Sequence, residues 1–337
     1  MLKNYKPLPY IIAEIGINHE GSISKAIKLI YSAKKAGADA VKFQLFEPKT
    51  LAAENTIKTK NQKKKIKKET LFQMWKRVRL NQNQVLKLKQ VSDKIKIDFF
   101  CSVFDHKSLE IINKLKIKSI KIASSDITDL PLLEKVSKTK KKVFLSTGMA
   151  SKKEILAAKN ILSNNQLTIL HCVSLYPCPY KKANLNRMIK LKKIFKTRVG
   201  YSDHCEGTDA SIAAITQGAE VIEKHFTYNK NAKGSDHEIS ADYSDLKKIV
   251  DFSKNHQKIF GNGKIEPSIN EKKMRKYFRK SVYYNKNLKK NHKIVKSDLL
   301  VRRPAAEYQT KSFGKILNKI LKKNVLRNTP VKKNDLN

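Results

Sequence analysis

The chain has 337 residues, 40% of them hydrophobic, and a formal net charge of +43. That hydrophobic share supplies a core and excludes wholesale disorder, while no apolar run reaches the ~18 residues of a membrane span. The charge comes from 63 Lys against nine Arg, spread over every predicted helix, whereas nucleic-acid readers favour the planar fork of Arg; it reads as a solvated coat that draws anionic substrates, with no nucleic-acid or membrane partner.

In chain order, the N-terminus gives Tyr10-Ile-Ile-Ala-Glu14, where Glu14 interrupts the one stretch that could imitate a signal-peptide core. A cytoplasmic location follows as the expectation. Eight β-branched, apolar runs then alternate with helical patterns, at 10–16, 40–46, 98–104, 119–124, 142–148, 167–173, 198–204 and 221–227. Ile23, Ala26, Ile27, Ile30 and Ala33 follow one buried helix face, and Gly37 ends that helix. Ser151 and Glu154 form a capping-box pattern, and Thr208 is placed to cap the helix carrying Ile212 and Ile215. Strand–helix alternation predicts a parallel sheet, and eight repeats predict closure into a (β/α)₈ TIM barrel over residues 1–263. A lysine-rich insertion at about 47–80, with the only Trp, Trp75, is expected as a lid or side excursion at the barrel mouth; lysines also cluster at 63–65, 140–142 and 322–323. Residues 264–279 read as a charged linker, and 280–337 as a small β-rich domain that needs a docking surface. The four cysteines fit no zinc pattern and are expected as reduced thiols.

Barrel enzymes carry their chemistry at the C-terminal ends of the strands. Read in order, those ends give Glu14 with Asn18 and His19, then Lys42 and Gln44, Ser102, then Lys121, Ser124 and Asp126, then Ser146, Ser174 and Tyr176, then Ser202 and Asp203 with His204, and His225; Asp236 follows in the last loop. A lysine inside a barrel strand is costly unless it faces an anion or a carboxylate. Lys42 and Lys121 among Ser hydroxyls therefore predict a phosphate or carboxylate site, the alternative being structural pairing with Glu14, Asp126 or Glu223. His204 and His225, one strand–helix unit apart, predict imidazoles at a spacing of ~5 Å, suited to a divalent metal with open positions. His171 has the opposite parity to Ser174 and Tyr176 and is expected to be structural.

The ordered motifs 11–19 (IIAEIGINH), 36–44 (AGADAVKFQ), 120–124 (IKIAS), 145–149 (LSTGM), 171–177 (HCVSLYP), 200–204 (GYSDH), 223–227 (EKHFT) and 301–304 (VRRP) resemble the sialic acid synthase family, which makes nonulosonic acids. The resemblance implies a barrel followed by an antifreeze-protein-like (SAF) domain, swapped within a homodimer. It implies condensation of phosphoenolpyruvate with an open-chain N-acetylated amino sugar, N-acetylmannosamine first. A diacetamido-dideoxy hexose, giving a legionaminate- or pseudaminate-type product, is the alternative. His204 and His225 would hold Mn²⁺, or Mg²⁺ or Co²⁺. Lys42, Lys121, Ser102, Ser124, Ser146 and Ser202 would take phosphoenolpyruvate. Glu14, Gln44, Asp126, Tyr176 and Asp236 would handle the sugar or protons, with Ser174 nearby, and Arg303 of the second chain would reach the N-acyl group. Asp126, Ser174, Ser235 and Ala305 stand where the family carries Glu, Asn, Pro and Gly; these changes lie on the sugar side and leave the reaction type intact.

Overall fold

In the computed structural model, residues 8–59, 62–63, 69–232, 234–261 and 263–337 are described; Lys64 and Lys65 of the first lysine cluster lie outside them. The chain divides into two compact units, at Met1–Gly261 and Asn262–Asn337.

The first unit is a closed barrel of eight parallel strands in sequential order: β1 (Tyr10–Gly16), β2 (Ala40–Leu45), β3 (Asp98–Val103), β4 (Ser119–Ile122), β5 (Lys142–Ser146), β6 (Leu167–Cys172), β7 (Arg198–Asp203) and β8 (Val221–His225), with β1 pairing β8. Strands covered on both faces tolerate few polar residues, so the barrel reads as apolar runs broken only where a side chain has chemistry to do. Its core joins Ile12, Phe43, Phe100, Phe144 and Leu170 of the strands to Leu29, Leu88, Leu132, Ala158 and Leu246 of the helices. The first helix, Ile23–Ala36, turns Ala26, Leu29, Ile30 and Ala33 inward and closes at Gly37, whose φ of 93° is the left-handed stop that glycine takes at low cost. Ser151 and Glu154 form the expected reciprocal cap. Thr208 stands at the start of helix Asp209–Thr216 but makes no side-chain cap bond; Ser211 in the next turn is tied down instead, by Asp203.

Among its described residues the insertion after β2 carries the short helices Pro48–Leu51 and Leu71–Val78. In the second, Leu71 and Met74 pack with Ile17 and Trp75, which fixes this excursion over the barrel mouth.

In the second unit β9 (Ser281–Tyr284) pairs antiparallel with β10 (Leu299–Arg302). Val282, Tyr284, Ile294, Ile316, Leu321 and Val331 form its core. Where a charged linker was expected, a capped helix runs Ile269–Phe278. The reason lies in Ser268 and Glu271, a reciprocal capping box that starts a helix even without an apolar stripe.

Candidate active site

The barrel register gathers the polar strand ends. Glu14 pairs laterally with Lys42 on β2 and with His225 on β8. Ser102 lies beside Gln44 and beside Lys121, and Ser202 beside Glu223. Lys42 Nζ lies 2.8 Å from Glu14 Oε2 and 3.7 Å from Glu223 Oε1, and donates to Ser102 Oγ at 2.9 Å. Lys121 Nζ reaches the same Glu223 Oε1 at 3.0 Å, and Ser202 Oγ also donates to that oxygen at 3.0 Å. Gln44 Nε2 donates to Glu14 Oε1 at 3.2 Å. The lysines expected to face an anion are therefore also paired, with Glu14 and Glu223 and not with Asp126.

The two carboxyls behave differently. Burial works to raise Glu223, but Lys121 and Lys42 outweigh it and hold its pKa down to about 2. Burial raises Glu14, and the charge on Glu223 adds to the rise against the pull of Lys42. Burial likewise opposes the charge on Lys42, yet Glu14 and Glu223 raise its pKa above the ordinary lysine value. Two ammonium groups, Lys42 and Lys121, thus face two carboxyls, Glu14 and Glu223, on the floor of the cup.

Several buried polar atoms in the cup lack a hydrogen-bond partner among the described residues: Glu223 Oε2, Ser146 Oγ, Ser174 Oγ and His225 Nδ1. A buried polar atom left unpaired costs about 1–3 kcal/mol. Several of them at the end of one barrel mark a place where a ligand completes the set.

Above the lysines, the His204 and His225 rings lie 5.6 Å apart between centroids. The His204 Nδ1–H donates to Val173 O at 2.9 Å, since a carbonyl can only accept. That bond fixes the tautomer and leaves Nε2 as a lone-pair donor. His225 Nδ1 lies 3.8 Å from Asp236 Oδ2. Burial, with the charges of His204 and Lys42, keeps His225 well below the ordinary histidine pKa. Two imidazoles, one with an orphaned ring nitrogen, fit a borderline divalent cation. Among the described residues no group of three His, Cys, Asp or Glu is set up to hold a metal, so an ion here would leave positions to substrate and water.

The Tyr176 ring lies 4.2 Å from that of His204. With Gln44, Ser124, Ser174 and Asp236 it lines one side of a cleft of about 410 Å³, whose other walls are Ile17, Met74, Trp75, Phe104 and Met149. Trp75 of the insertion thus faces the mouth. Ser124 Oγ accepts from Gly148 N at 2.9 Å. A Cβ on Gly148 would stand 2.2 Å from Ser174 Oγ and 2.8 Å from Ser124 Oγ. Beside it Met149 is held at φ 64° with its side chain exposed to the cleft.

The structure brings together Glu14, Lys42, Gln44, Ser102, Lys121, Ser124, Ser146, Ser174, Tyr176, Ser202, His204, His225 and Asp236 at one end of the barrel. Asp126 stands a turn beyond Ser124, bound by Ser125 Oγ at 2.7 Å, and Ser125 rather than Asp126 lines the cleft. Burial pushes Asp126 up to about 6. Arg303 belongs to the second unit, 5.5 Å from the Phe278 ring. His171 bonds Ala183 O at 2.7 Å and serves structure, as its parity implied. Sequence reasoning gave Glu223 only a balancing role and passed over Cys172, whose Sγ lies 3.8 Å from His204 Nδ1. The signal was available, since Cys172 shares the parity of Ser174 and Tyr176. Asn18 had no assigned role; its Nδ2 donates to Phe226 O and Ser240 Oγ, both at 2.9 Å, and Ser240 Oγ donates to Asp236 O at 2.6 Å. It ties the first loop to the loop that carries Asp236.

A closed parallel barrel whose strand ends assemble paired lysines, two unlike carboxyls and two imidazoles defines a (β/α)₈-barrel enzyme. Residues 29–265 match the NeuB family and residues 279–337 match the SAF domain. The chain is 39% identical to the N,N'-diacetyllegionaminic acid synthase of Campylobacter jejuni over 93% of its own length and 96% of that protein's. It is 32% identical to the pseudaminic acid synthase of Helicobacter pylori, over 97% of this chain and 98% of that one. A crystal structure of N-acetylneuraminic acid synthetase from Leptospira borgpetersenii superposes with a TM-score of 0.71 at 35% identity, over 81% of this chain and 93% of that one. The chain belongs to the NeuB family, and it is an enzyme of the nonulosonic acid synthase type.

Proposed function

We propose that the enzyme condenses phosphoenolpyruvate with an open-chain N-acetylated amino hexose, forming a nonulosonic acid and phosphate. The observation that carries this reading is the incompletely bonded floor of Lys42, Lys121 and their serines, beside the imidazole pair. Lys42, Lys121, Ser102, Ser124, Ser146 and Ser202 bind the enol phosphate, whose dissociable oxygens satisfy the unpaired hydroxyls. Gln44, Ser174, Tyr176 and Asp236 position the sugar so that its aldehyde carbon meets C3 of phosphoenolpyruvate. Bound between His204 and His225, Mn²⁺ or a similar divalent ion would supply Lewis-acid polarisation of that aldehyde. The new bond joins C3 to the aldehyde carbon, and the aldehyde oxygen takes up a proton. Water then adds at C2, its oxygen becomes the keto oxygen, and the C2–O bond to phosphate breaks. Glu14, beside His225 and raised by burial above the ordinary carboxyl pKa, is placed to pass a proton to the product alkoxide. Asp126 acts at longer range, through the turn that presents Ser124 and Ser125.

Identity to the legionaminic acid synthase supports a sugar with a second acetamido group. So do the walls of Ile17, Met74, Trp75, Phe104 and Met149, which suit acetyl and 6-deoxy methyl groups better than a free hydroxymethyl. N-acetylmannosamine, the first expectation, is the natural comparator. A homodimer is proposed as well, supported by helix Ile269–Phe278, which buries none of its residues and exposes Ile269, Met274, Tyr277 and Phe278. Arg303 of the partner would then serve the sugar side. The four buried, free cysteines support a reducing, cytoplasmic setting.

The test is phosphate release from phosphoenolpyruvate with Mn²⁺ and a panel of N-acetylated hexoses, with the product identified by mass. Release that depends on a diacetylated hexose is expected. Release without any sugar, or none with the whole panel, would overturn the reading.

A further inference from the structure

Directly behind the two imidazoles lies a second buried charge group that the proposed mechanism does not use. Asp203 and Lys224 are neighbours in register on β7 and β8, each one residue before a histidine, His204 just past the end of β7 and His225 at the end of β8. By the alternation of side chains they face away from His204 and His225, toward the helices. Both are fully buried. Lys224 Nζ lies 3.3 Å from Asp203 Oδ2 and donates to Cys205 O. The Cys205 N–H donates to Asp203 Oδ1 at 2.8 Å, and Ser211 Oγ donates to Asp203 Oδ2 at 2.6 Å. These bonds close a ring: ammonium to carboxylate, carboxylate to the Cys205 amide, Cys205 carbonyl back to ammonium. His204 sits inside that ring, between Asp203 and Cys205. His225 is attached to it through the backbone of Lys224.

We propose that Asp203 and Lys224 form a clamp that fixes the distance and aim of the two imidazoles, and are positioning residues for the divalent ion. Two observations favour this over a merely cohesive role. A buried ion pair is a poor source of stability, since apolar residues of similar volume usually do as well or better. Of these bonds, that from Ser211 reaches helix Asp209–Thr216, and the others converge on the turn holding His204. A ring of this kind removes the freedom with which two strand ends would breathe, so an ion meets its ligands already spaced.

The inference rests on the reading of His204 and His225 as metal ligands, and the experiment separates the two. Mn²⁺ affinity is measured by competition with a chromogenic chelator on the parent protein, His204→Ala, Lys224→Met, and the double variant Asp203→Asn with Lys224→Met. Folding is checked by thermal unfolding, and imidazole NMR signals are recorded without metal. The parent must bind and His204→Ala must not; otherwise the metal reading itself fails. The clamp predicts a double variant that folds with an unfolding temperature near the parent's, binds Mn²⁺ about 10–100-fold more weakly, and regains turnover at raised Mn²⁺. It also predicts shifted signals for His204 and His225 in the metal-free double variant, with His171 unmoved, a readout that survives even if the metal reading fails. Lys224→Met alone leaves Asp203 unpaired and is expected to be the less stable of the two. Affinity within twofold of the parent together with unmoved histidine signals would overturn the proposal. Failure of both clamp variants to fold would also overturn it, by making the pair an element of the fold.

Discussion

Two buried charge groups sit within one turn of each other in this barrel, and they are built in opposite ways. On the inner face, Lys42, Lys121, Glu14 and Glu223 share too few partners, and Glu223 Oε2 has none among the described residues. On the outer face, Asp203 and Lys224 close on themselves and on Cys205 and Ser211, and neither leaves an unpaired side-chain atom. Burial is equally complete in both, so burial does not separate function from structure here. Satisfaction does: a network short of hydrogen bonds waits for a ligand, while a saturated one holds the frame.

The strongest way to break that contrast is to remove an imidazole. His225→Ala is expected to lower turnover on the order of 10³-fold, the several kcal/mol of a lost Lewis acid, with unfolding temperature little changed; near-parent turnover under Mn²⁺ titration would contradict it. Next comes the inner network. Lys121→Met should destabilise by about 3–5 kcal/mol, because Glu223 is left buried with less compensation. Adding Glu223→Gln should restore most of that stability in urea unfolding, while phosphate release stays lost. Recovery of both together would mean the network is only structural.

The pH dependence gives a smaller effect of defined sign. Asp126 has a folded pKa raised to about 6 by burial, against an ordinary value near 3.8. Between those values the folded chain holds a proton that the unfolded chain releases, so Asp126 contributes a loss of stability as pH rises through that window. Asp126→Asn should flatten the stability slope between about pH 4 and 6, by on the order of 1–2 kcal/mol. Glu223, held at about 2, has the opposite sign: its contribution is full above the ordinary glutamate value and is lost only as pH falls toward 2. The smallest effect expected is at Met149. Met149→Gly relieves a left-handed backbone, worth about 1 kcal/mol, and should raise the sugar KM without changing that of phosphoenolpyruvate.

The eight strands were legible because apolar, β-branched runs in a barrel begin and end within a residue or two of their turns. Lys42, Lys121, His204 and His225 stood out because such side chains are rare inside strands. What escaped was anything whose meaning lies in a partner. Glu223 looks like one more strand carboxylate until Lys42, Lys121 and Ser202 are seen to converge on it. Asp203, read with Ser202 and His204 at the seventh strand end, points with Lys224 to the helix side, so a reading of the mouth neither separates it from them nor finds its partner. The helix Ile269–Phe278 lacked apolar periodicity, and only Ser268 with Glu271 betrayed it.

Gly148 is pinned between two hydroxyls with no room for a methyl group. The fifth-strand and sixth-strand loops thereby interlock at their closest approach through a bare backbone. Drift in sugar preference cannot begin at that seam. It must come from the side chains flanking it, at 149 and 174, which can change size and polarity while the main chain stays put. Two such enzymes could then differ in the hexose they accept and still overlay atom for atom along this stretch of backbone.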